Sequence, residues 1–347
     1  MKAAVIKEYG KFSIEDRAVP EYGEDEVLVN VKFASICGSD QHLFKGEFHP
    51  RTKLPLVPGH EFSGVIAATG KNVKNLEAGE KVTIDPIIPC GKCQACKRGH
   101  FPACSSLKLI GIDLDGGFAE YVTVRPEMIY PLPESVSLEH AALVEVLSIG
   151  FHAVARAEIR KEDSMVIFGA GKIGQSILHA ATTVSEGRIF LVDILDERLQ
   201  LAARAFPEVV LINAIEQDPV EIIMQKTDGH GVDVAFEAVG HHVEIKNRFN
   251  PVRSCIKAIR GGGKVCVLGL GNDPHEVLMK ELIWKEAMII ASRVSHGEFA
   301  KSIAALSVGK LNPISMITSV VNLEETQKAF SDLENNPEAH LKILISV

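Results

Sequence analysis

The feature that most constrains the fold is a glycine-rich turn between a predicted strand and a predicted helix. Residues 164–171, SMVIFGAG, are an apolar run ending in glycines, and KIGQSILHAATTV follows with helical spacing. Strand and helix patterns alternate from there to about residue 290, including a helical stretch near 241 to 260. This alternation is typical of a parallel sheet with helices on both faces.

The glycines of this turn form a dinucleotide-binding pattern. Gly169, Gly171 and Gly174 make a G-x-G-x-x-G, and Asp193 follows nineteen residues after Gly174 at the end of the next predicted strand. Such glycines allow the backbone to approach a pyrophosphate at a helix N-terminus, although a simple tight turn would also use them. A carboxylate at Asp193 would bind the adenosine ribose and repel a 2′-phosphate, which predicts NAD over NADP. Asp193 could also cap the following helix.

The region before this turn has the residue pattern of β-strands, and it contains a cysteine cluster. Residues 1 to about 155 show β-like alternation broken by Gly and Pro. CGKCQACKRGHFPAC contains Cys90, Cys93, Cys96 and Cys104. Four thiolates at such short spacing predict a closed, structural zinc site. An iron–sulfur cluster is the alternative, but its usual run has a shorter final gap and a Pro after the last cysteine.

Composition narrows the possible partners. The chain has 347 residues, enough for two domains, with 46% apolar residues. Its net charge of −8 opposes binding to nucleic acid or to an anionic membrane, so we expect neither as a partner. The N-terminus lacks an apolar signal region, and no apolar run is long enough to cross a bilayer. We therefore expect a globular cytoplasmic protein, and the crowding of four of its seven cysteines into fifteen residues favours a metal over disulfides.

A second set of metal ligands lies outside the cysteine cluster. Cys37 in CGSDQH offers a thiolate, and His60 in PGHEFSG offers an imidazole. A catalytic zinc keeps three protein ligands and one open position, so a third ligand must come from elsewhere. Glu145 is a carboxylate in the otherwise apolar stretch ALVEVLSIG, where it needs a partner or a metal.

These motifs together resemble those of the zinc-dependent medium-chain dehydrogenases. GHEFSGVI, the four-cysteine segment, DGGFAEY and GAGKIG occur in the order of that family along essentially the full chain. The resemblance is strongest to its polyol, sugar-acid and threonine dehydrogenases. It implies an α/β fold with a GroES-like, β-rich catalytic domain at 1–155, a doubly wound Rossmann domain that binds NAD at 156–290, and a return to the catalytic domain at 291–347. It further implies two zinc ions per chain, an alcohol substrate, and a homo-oligomer, either a tetramer or a dimer.

The resemblance also assigns roles to individual residues of the catalytic domain. Cys37, His60 and Glu145 would hold the catalytic zinc, with Glu61 as a close neighbour. Ser39 would accept the substrate proton, His42 would relay it to solvent, and Asp40 would orient His60. An exposed loop histidine is the alternative reading of His42. The chain departs from the family at Val146 and Lys172, where the family often has proline.

Further residues are expected around the cofactor and the substrate. The cofactor set comprises the glycine turn and residues at the ends of later strands: Gly169, Gly171, Lys172, Ile173, Gly174, Asp193, Arg198, Val239, Gly240, Leu268, Gly269, Leu270 and Arg293. Arg293 could instead form a surface salt bridge. Phe44 and Ile112 are candidate walls of the substrate pocket. The predicted activity is oxidation of a secondary alcohol of a polyol or sugar acid by NAD; threonine-type oxidation and a non-catalytic NAD-binding relative are the alternatives.

Overall fold

The computed structural model describes residues 1–241, 245, 248–272 and 274–347. Its internal contacts divide the chain into two compact units. Unit 1 comprises Met1–Glu145 and Phe299–Val347, and unit 2 comprises Val146–Glu298. The domain borders predicted near residues 155 and 290 both fall inside unit 2.

The first segment of unit 1 is rich in strands and contains three short helices. The strands, in chain order, are β1 Lys2–Glu8, β2 Lys11–Asp16, β3 Val27–Ser35, β4 Glu61–Thr69, β5 Lys81–Ile84, β6 Ile87–Ile88, β7 Lys108–Leu109, β8 Tyr121–Val124 and β9 Ile129–Pro131. The helices are α1 Gly38–Phe44, α2 Gln94–Lys97 and α3 Leu138–Ala141.

The middle of the chain alternates strand and helix. After α4 Val144–Ala157, the elements are β10 Met165–Phe168, α5 Lys172–Thr182, β11 Ile189–Asp193, α6 Asp196–Ala205, β12 Val210–Asn213, α7 Pro219–Lys226, β13 Val232–Glu237, α8 Pro251–Ala258, β14 Ile259–Val267, α9 Met279–Lys285 and β15 Met288–Ala291. From β10 to β13 the connections between these elements are short, which is common in parallel βα repeats.

The chain then returns to unit 1. The last elements are α10 Phe299–Ser307, β16 Ile317–Asn322, α11 Thr326–Asn335 and β17 Lys342–Ser346. The terminal strand β17 pairs antiparallel with β3, with Leu344 opposite Ser35. This pairing places the last strand of the chain beside a strand of its first segment in one sheet.

The sheet of unit 2 is parallel and doubly wound. Its six strands have the order β12-β11-β10-β13-β14-β15, and every neighbouring pair is parallel. The strands β10 and β11 are buried along their whole length, as expected of strands covered on both faces. This is the strand order of a Rossmann fold, so the predicted fold class is confirmed for this unit.

The sheet of unit 1 is a mixed, mostly antiparallel sheet of seven strands. Its path runs β16-β17-β3-β4-β5-β9, and β8 also pairs with β3. The buried faces of these strands form one hydrophobic core, with members such as Val29, Ile66, Ile84 and Ile345.

One predicted helix is shorter than expected. Among the described residues near 241 to 260, the only helix is α8, which begins at Pro251 after the N-cap Asn250. Pro251 fits the first helical position because it has no N–H to donate, and the Asn250 side chain accepts a hydrogen bond from the N–H of Arg253. The prediction was therefore wrong about where this helix starts. Residues 242–244, 246 and 247 lie outside the described residues.

Candidate active site

The centre of the candidate site is a group of three possible metal ligands in unit 1. A thiol sulfur of Cys37, a ring nitrogen of His60 and a carboxylate oxygen of Glu61 all lie within 4.8 Å of one another. Cys37 is the N-cap of α1, and Glu61 is the first residue of β4. Because β3 leads into α1 and pairs with β4, the two motifs meet at one end of the sheet.

Asp40 links two residues of this group, Cys37 and His60, through hydrogen bonds. Its fully buried carboxylate accepts a 2.8 Å hydrogen bond from the main-chain N–H of Cys37, and its other oxygen lies 3.1 Å from Nδ1 of His60. The ring is therefore oriented with Nε2 on the opposite side, which is how metal-bound imidazoles are commonly held. The hydroxyl of Ser39 lies 3.2 Å from that Nε2.

His60 is buried and lies between two groups that can carry negative charge, the buried Asp40 and the partly exposed Cys37. Burial alone would lower the pKa of His60, but Asp40 and Cys37 raise it well above its ordinary value. Without a metal, the ring thus attracts a proton to the position where a cation would bind. A divalent ion bound to Cys37 and His60 would satisfy the same negative surroundings, so the donor set fits a metal.

A residue that sequence reasoning missed completes the surroundings of Glu61. Lys342 of β17 is fully buried, and its ammonium group donates to both carboxylate oxygens of Glu61, at 2.6 Å for Oε1. Burial alone would raise the pKa of Glu61, but Lys342 and His60 lower it. The signal in the sequence is one lysine in the otherwise apolar run HLKILISV.

Glu145 lies near this group without belonging to it. It is 3% exposed at the start of α4, and burial, followed by the charge of Glu61, raises its pKa to about 8. Its Oε2 atom is buried with no hydrogen-bond partner among the described residues. A buried carboxyl oxygen without a hydrogen bond lowers the stability of the folded protein unless a cation binds to it. The role of Glu145 as the third ligand therefore stays a prediction.

The four cysteines of the segment 90–104 converge on one point. The sulfurs of Cys90, Cys93, Cys96 and Cys104 lie within 4.8 Å of one another. Backbone N–H groups point at three of these sulfurs; the N–H of Cys93, for example, donates to Cys90 at 3.4 Å. Such N–H groups favour thiolates, and those of Cys96 and Ser105 lower the pKa of Cys93 to about 6. This donor set fits one tetrahedral zinc ion.

The remaining predicted residues of unit 1 lie farther from the metal ligands or in the core. His42 is half exposed, and its Nδ1 lies 2.6 Å from a carboxylate oxygen of Glu47. Phe44 packs against Phe12 and Phe330 inside the core, with ring centroids 5.2 and 5.1 Å away. Ile112 is also buried in that core. The pocket-wall role of Phe44 and Ile112 therefore stays a prediction.

In unit 2 the glycine turn has the geometry that a dinucleotide needs. Gly169 has φ +98°, a conformation that favours glycine, and a Cβ on Gly174 would lie 1.7 Å from the carbonyl oxygen of Gly169. A Cβ on Gly171 would meet nothing closer than Arg198 at 3.9 Å. Gly169 and Gly174 thus determine the conformation of the turn. Gly171 leaves open space beside the N-terminus of α5, whose first two residues are Lys172 and Ile173.

A cavity of about 260 Å³ opens beside this turn. Gly169, Gly171, Asp193, Arg198 and Val239 line it. The buried Asp193 carboxylate accepts hydrogen bonds from the backbone N–H groups of Ala170, Ile194 and Leu195. The cavity therefore brings together five of the residues that the sequence predicted to bind a cofactor.

The other predicted cofactor residues lie at later strand ends. Gly240 and Gly269 approach so closely that a Cβ on Gly269 would lie 2.2 Å from the N of Gly240. Leu268 is buried, whereas Leu270 and Arg293 are exposed. Glu237, which the sequence analysis missed, accepts 2.9 Å hydrogen bonds from the N–H groups of Val239 and Gly240.

Comparison with known proteins identifies the family. Residues 23–134 match the alcohol dehydrogenase GroES-like domain, and residues 173–307 match the zinc-binding dehydrogenase domain. Sorbitol dehydrogenase of Bacillus subtilis is 32% identical over 99% of this chain and 97% of its own length. This chain belongs to the zinc-dependent medium-chain dehydrogenases. The predicted family and its oxidoreductase class are confirmed.

Two further comparisons locate this dehydrogenase within the family. D-xylulose reductase A of Aspergillus niger is 33% identical over 95% of the chain and 92% of its own length. An alcohol dehydrogenase of Escherichia coli CFT073, crystallised with NADH, superposes with a TM-score of 0.90 at 29% identity, covering 100% of this chain and 99% of that one. Among the described residues of this dehydrogenase, no helix combines the length and apolarity needed to cross a membrane.

Proposed function

We propose that this dehydrogenase oxidises a secondary alcohol of a polyol or sugar acid by hydride transfer to NAD. The observation that carries the proposal is the convergence of Cys37, His60 and a buried carboxylate beside the Ser39 hydroxyl in unit 1. The names of its relatives, which act on sorbitol and xylulose, support the polyol class.

Two metal sites follow from the donor sets. Cys37, His60 and Glu145 would hold the catalytic zinc, because the first two are oriented by Asp40 and the third has an unsatisfied buried oxygen. Cys90, Cys93, Cys96 and Cys104 would hold a structural zinc, because four thiolates leave no position for substrate. When bound, the catalytic zinc stabilises negative charge on the substrate oxygen, and NAD accepts the hydride.

The residues of the chain supply orientation and proton transfer. Asp40 fixes the His60 ring, so that Nε2 and the Ser39 hydroxyl face the same space. Ser39 is therefore suited to accept the hydroxyl proton of a bound alcohol. His42 lies three residues farther along α1, is half exposed and pairs with Glu47, which suits transfer of that proton to solvent.

Asp193 and the open side of Gly171 support NAD as the cofactor. A buried carboxylate that lines the cavity would accept hydrogen bonds from ribose hydroxyls and repel the 2′-phosphate of NADP. The N-terminus of α5 follows Gly171, which lines the cavity, and helix N-termini favour the negative charge of a pyrophosphate.

A substrate panel with metal analysis tests the proposal. NADH formation is measured with polyols, hexonates and threonine, and zinc per chain is measured on the same sample. Oxidation of a polyol or hexonate by wild type, lost in Cys37→Ser while NAD binding remains, supports the proposal. Threonine as the best substrate would support amino-alcohol oxidation instead. A protein with two zinc ions and bound NAD that oxidises no alcohol would be a non-catalytic relative.

We also infer that the protein is a homo-oligomer, either a tetramer or a dimer. The strand β15 ends the sheet of unit 2, and its Met288 and Ile289 are exposed beside Ile283 and Trp284 of α9, which are 71% and 79% exposed. Such an apolar edge suits a second copy of the same chain. Light scattering on wild type and on Ile289→Lys tests this; a wild-type monomer would refute it.

A cytoplasmic location is part of the same proposal. All seven cysteines are unpaired, and zinc-binding thiolates persist where thiols stay reduced. Cell fractionation followed by an assay for NAD-dependent oxidation would detect the protein in the cytoplasmic fraction if the inference is correct. Activity confined to another fraction would contradict it.

A further inference from the structure

The cavity of unit 2 is lined by a pair of opposite charges, Asp218 and Arg248. Nη1 of Arg248 lies 3.4 Å from Oδ2 of Asp218, and each of the two side chains is 24% exposed. Asp218 is the N-cap of α7, whereas Arg248 precedes α8, so the pair joins two separate segments. Neither residue is in the cofactor set that the sequence predicted.

The order of the strands indicates which part of a dinucleotide would reach this pair. The glycine turn follows β10, Asp193 ends β11, and β12 lies on the far side of β11. With the pyrophosphate at the turn and the ribose at Asp193, the base continues in the same direction, toward the residues after β12. Ala214, Asp218 and Pro219 follow β12 and line the cavity. Adenine is therefore the part of NAD that this arrangement brings to Asp218.

Much of the cavity wall is apolar, as a planar base requires. The apolar residues that line it include Val192, Ile194, Pro219, Val239 and Phe249. Stacking and van der Waals contact with such side chains favour any base, because every base has an apolar face. Discrimination between two purines must therefore come from polar groups in the same cavity, such as Asp218 and Arg248.

The chain leaves hydrogen-bonding capacity unused on both charged side chains. Oδ1 of Asp218 accepts the N–H groups of Val220 and Glu221 at 2.9 and 3.3 Å, so Oδ2 is the oxygen left for Arg248 and a ligand. Nε of Arg248 is buried with no hydrogen-bond partner among the described residues. An ion pair between partly exposed side chains contributes little to stability, so stability alone does not account for this one.

A carboxylate beside a guanidinium is complementary to one edge of adenine. The N6 amino group of the base donates, and the neighbouring ring nitrogen, N1 or N7, accepts. Asp218 can accept from N6, and Arg248 can donate to the ring nitrogen. Hypoxanthine has the acceptor oxygen O6 in place of the amino group, so a base in the same position would place two acceptors against each other.

We propose that Asp218 and Arg248 bind the edge of the adenine base and make this dehydrogenase selective for adenine over hypoxanthine dinucleotides. This inference rests on the proposed function, because it takes NAD as the cofactor and Asp193 as its ribose ligand. It adds selection of the base to the discrimination against a 2′-phosphate that is proposed for Asp193.

Fluorescence titration with NADH and with reduced nicotinamide hypoxanthine dinucleotide tests the inference without an alcohol substrate. Wild type should bind NADH about tenfold more tightly or better, because the hypoxanthine cofactor loses a hydrogen bond to a charged group. Asp218→Asn keeps a helix cap, and its amide can donate to O6, so its two dissociation constants should differ by less than about threefold. Glu216→Gln, an exposed change that removes the same charge from the same loop, is the matched control and should keep the wild-type preference.

Arg248→Met tests the other half of the pair and leaves the cap of α7 in place. Its affinity for NADH should fall by about tenfold, because the ring nitrogen of adenine loses its donor. Arg248→Lys retains a cationic donor and should restore part of that affinity. The inference is overturned if Arg248→Met binds NADH as tightly as wild type, or if Asp218→Asn keeps the wild-type preference for NADH.

The same titrations separate failure of the inference from failure of the proposed function. If wild type binds NADH and the hypoxanthine cofactor equally well, the selection of the base is wrong, whereas NAD remains the proposed cofactor. If wild type does not bind NADH, the cofactor assignment is wrong and the inference fails with it. An equal loss of affinity for both cofactors in Asp218→Asn would show that the pair has a structural role only.

Discussion

The carboxylate of Asp193 accepts a 2.6 Å hydrogen bond from the main-chain N–H of Ala170, which lies inside the glycine turn. The end of β11 is thereby tied to the turn that follows β10. The acid is therefore anchored before any cofactor binds, and the ribose-binding role proposed for it would require no side-chain rearrangement. This preorganisation is the basis of the first prediction.

Replacing Asp193 should weaken the discrimination against NADP. In Asp193→Ala, the ratio of kcat/KM for NAD to that for NADP should fall by about tenfold or more, because a repulsive charge and a ribose hydrogen bond are both lost. Steady-state assays with each cofactor measure this ratio. Asp196→Ala, on an exposed position of α6, is the control. An unchanged ratio in Asp193→Ala would count against the ribose role.

The four-cysteine segment should contribute stability more than chemistry. Cys93→Ser should lose one zinc ion per chain and lower the melting temperature, because the segment has only a small hydrophobic cluster around Leu107. Metal analysis and calorimetry measure both effects. Gln94→Ala, an exposed change in the same segment, should alter neither. A soluble Cys93→Ser protein that keeps two zinc ions would refute the structural assignment.

Glu237 should act on the cofactor through the loop that it holds. Glu237→Ala removes the acceptor for the N–H groups of Val239 and Gly240, so the KM for NAD should rise by about tenfold while kcat changes less. Glu237→Gln retains one oxygen acceptor and should restore most of the affinity. Titration of NADH fluorescence with each variant measures this. An equal loss of cofactor affinity in both variants would mean that the charge of Glu237, and not its hydrogen bonds to the loop, determines the affinity.

His179 should make the protein sensitive to acid. Its ring nitrogens have no hydrogen-bond partner among the described residues, and burial lowers its pKa from 6.5 to about 4. The unfolded chain therefore binds the proton first as the pH falls below about 6.5, and stability decreases until the folded pKa is reached. Between about pH 7.5 and about pH 5 the free energy of unfolding should fall by about 2 kcal/mol through this residue.

Urea denaturation at both pH values checks the size of this effect. His179→Leu, which keeps the contact with Phe206 apolar, should lose about that part of the pH dependence. His230→Ala is the control, since His230 is exposed in the same unit. If His179→Leu has the same slope of stability against pH as wild type, the histidine is already charged or solvated in the folded state.

Local patterns were sufficient to predict the type of sheet and to nominate candidate site residues. The alternation of apolar strands and amphipathic helices indicates a parallel sheet, because burial on both faces leaves a continuous apolar run in each strand. The close cysteine spacing places Cys90, Cys93 and Cys96 on one short loop, and the structure brings Cys104 to them. The start of α8 was missed because the helical pattern was extended past Pro251, which is suited to the first position of a helix and not to its interior.

The chain itself determines which side chains can bind a metal or a dinucleotide, since the chemistry of thiolates, imidazoles and glycines is set by residue type and short spacing. Only the tertiary structure decides which carboxylate faces which charge. Lys342 reaches Glu61 across 281 residues because β17 pairs with β3, and the Oε2 atom of Glu145 has no hydrogen-bond partner in the described part of the chain. Such pairings depend on strand order and burial, and these arise only once distant segments pack together.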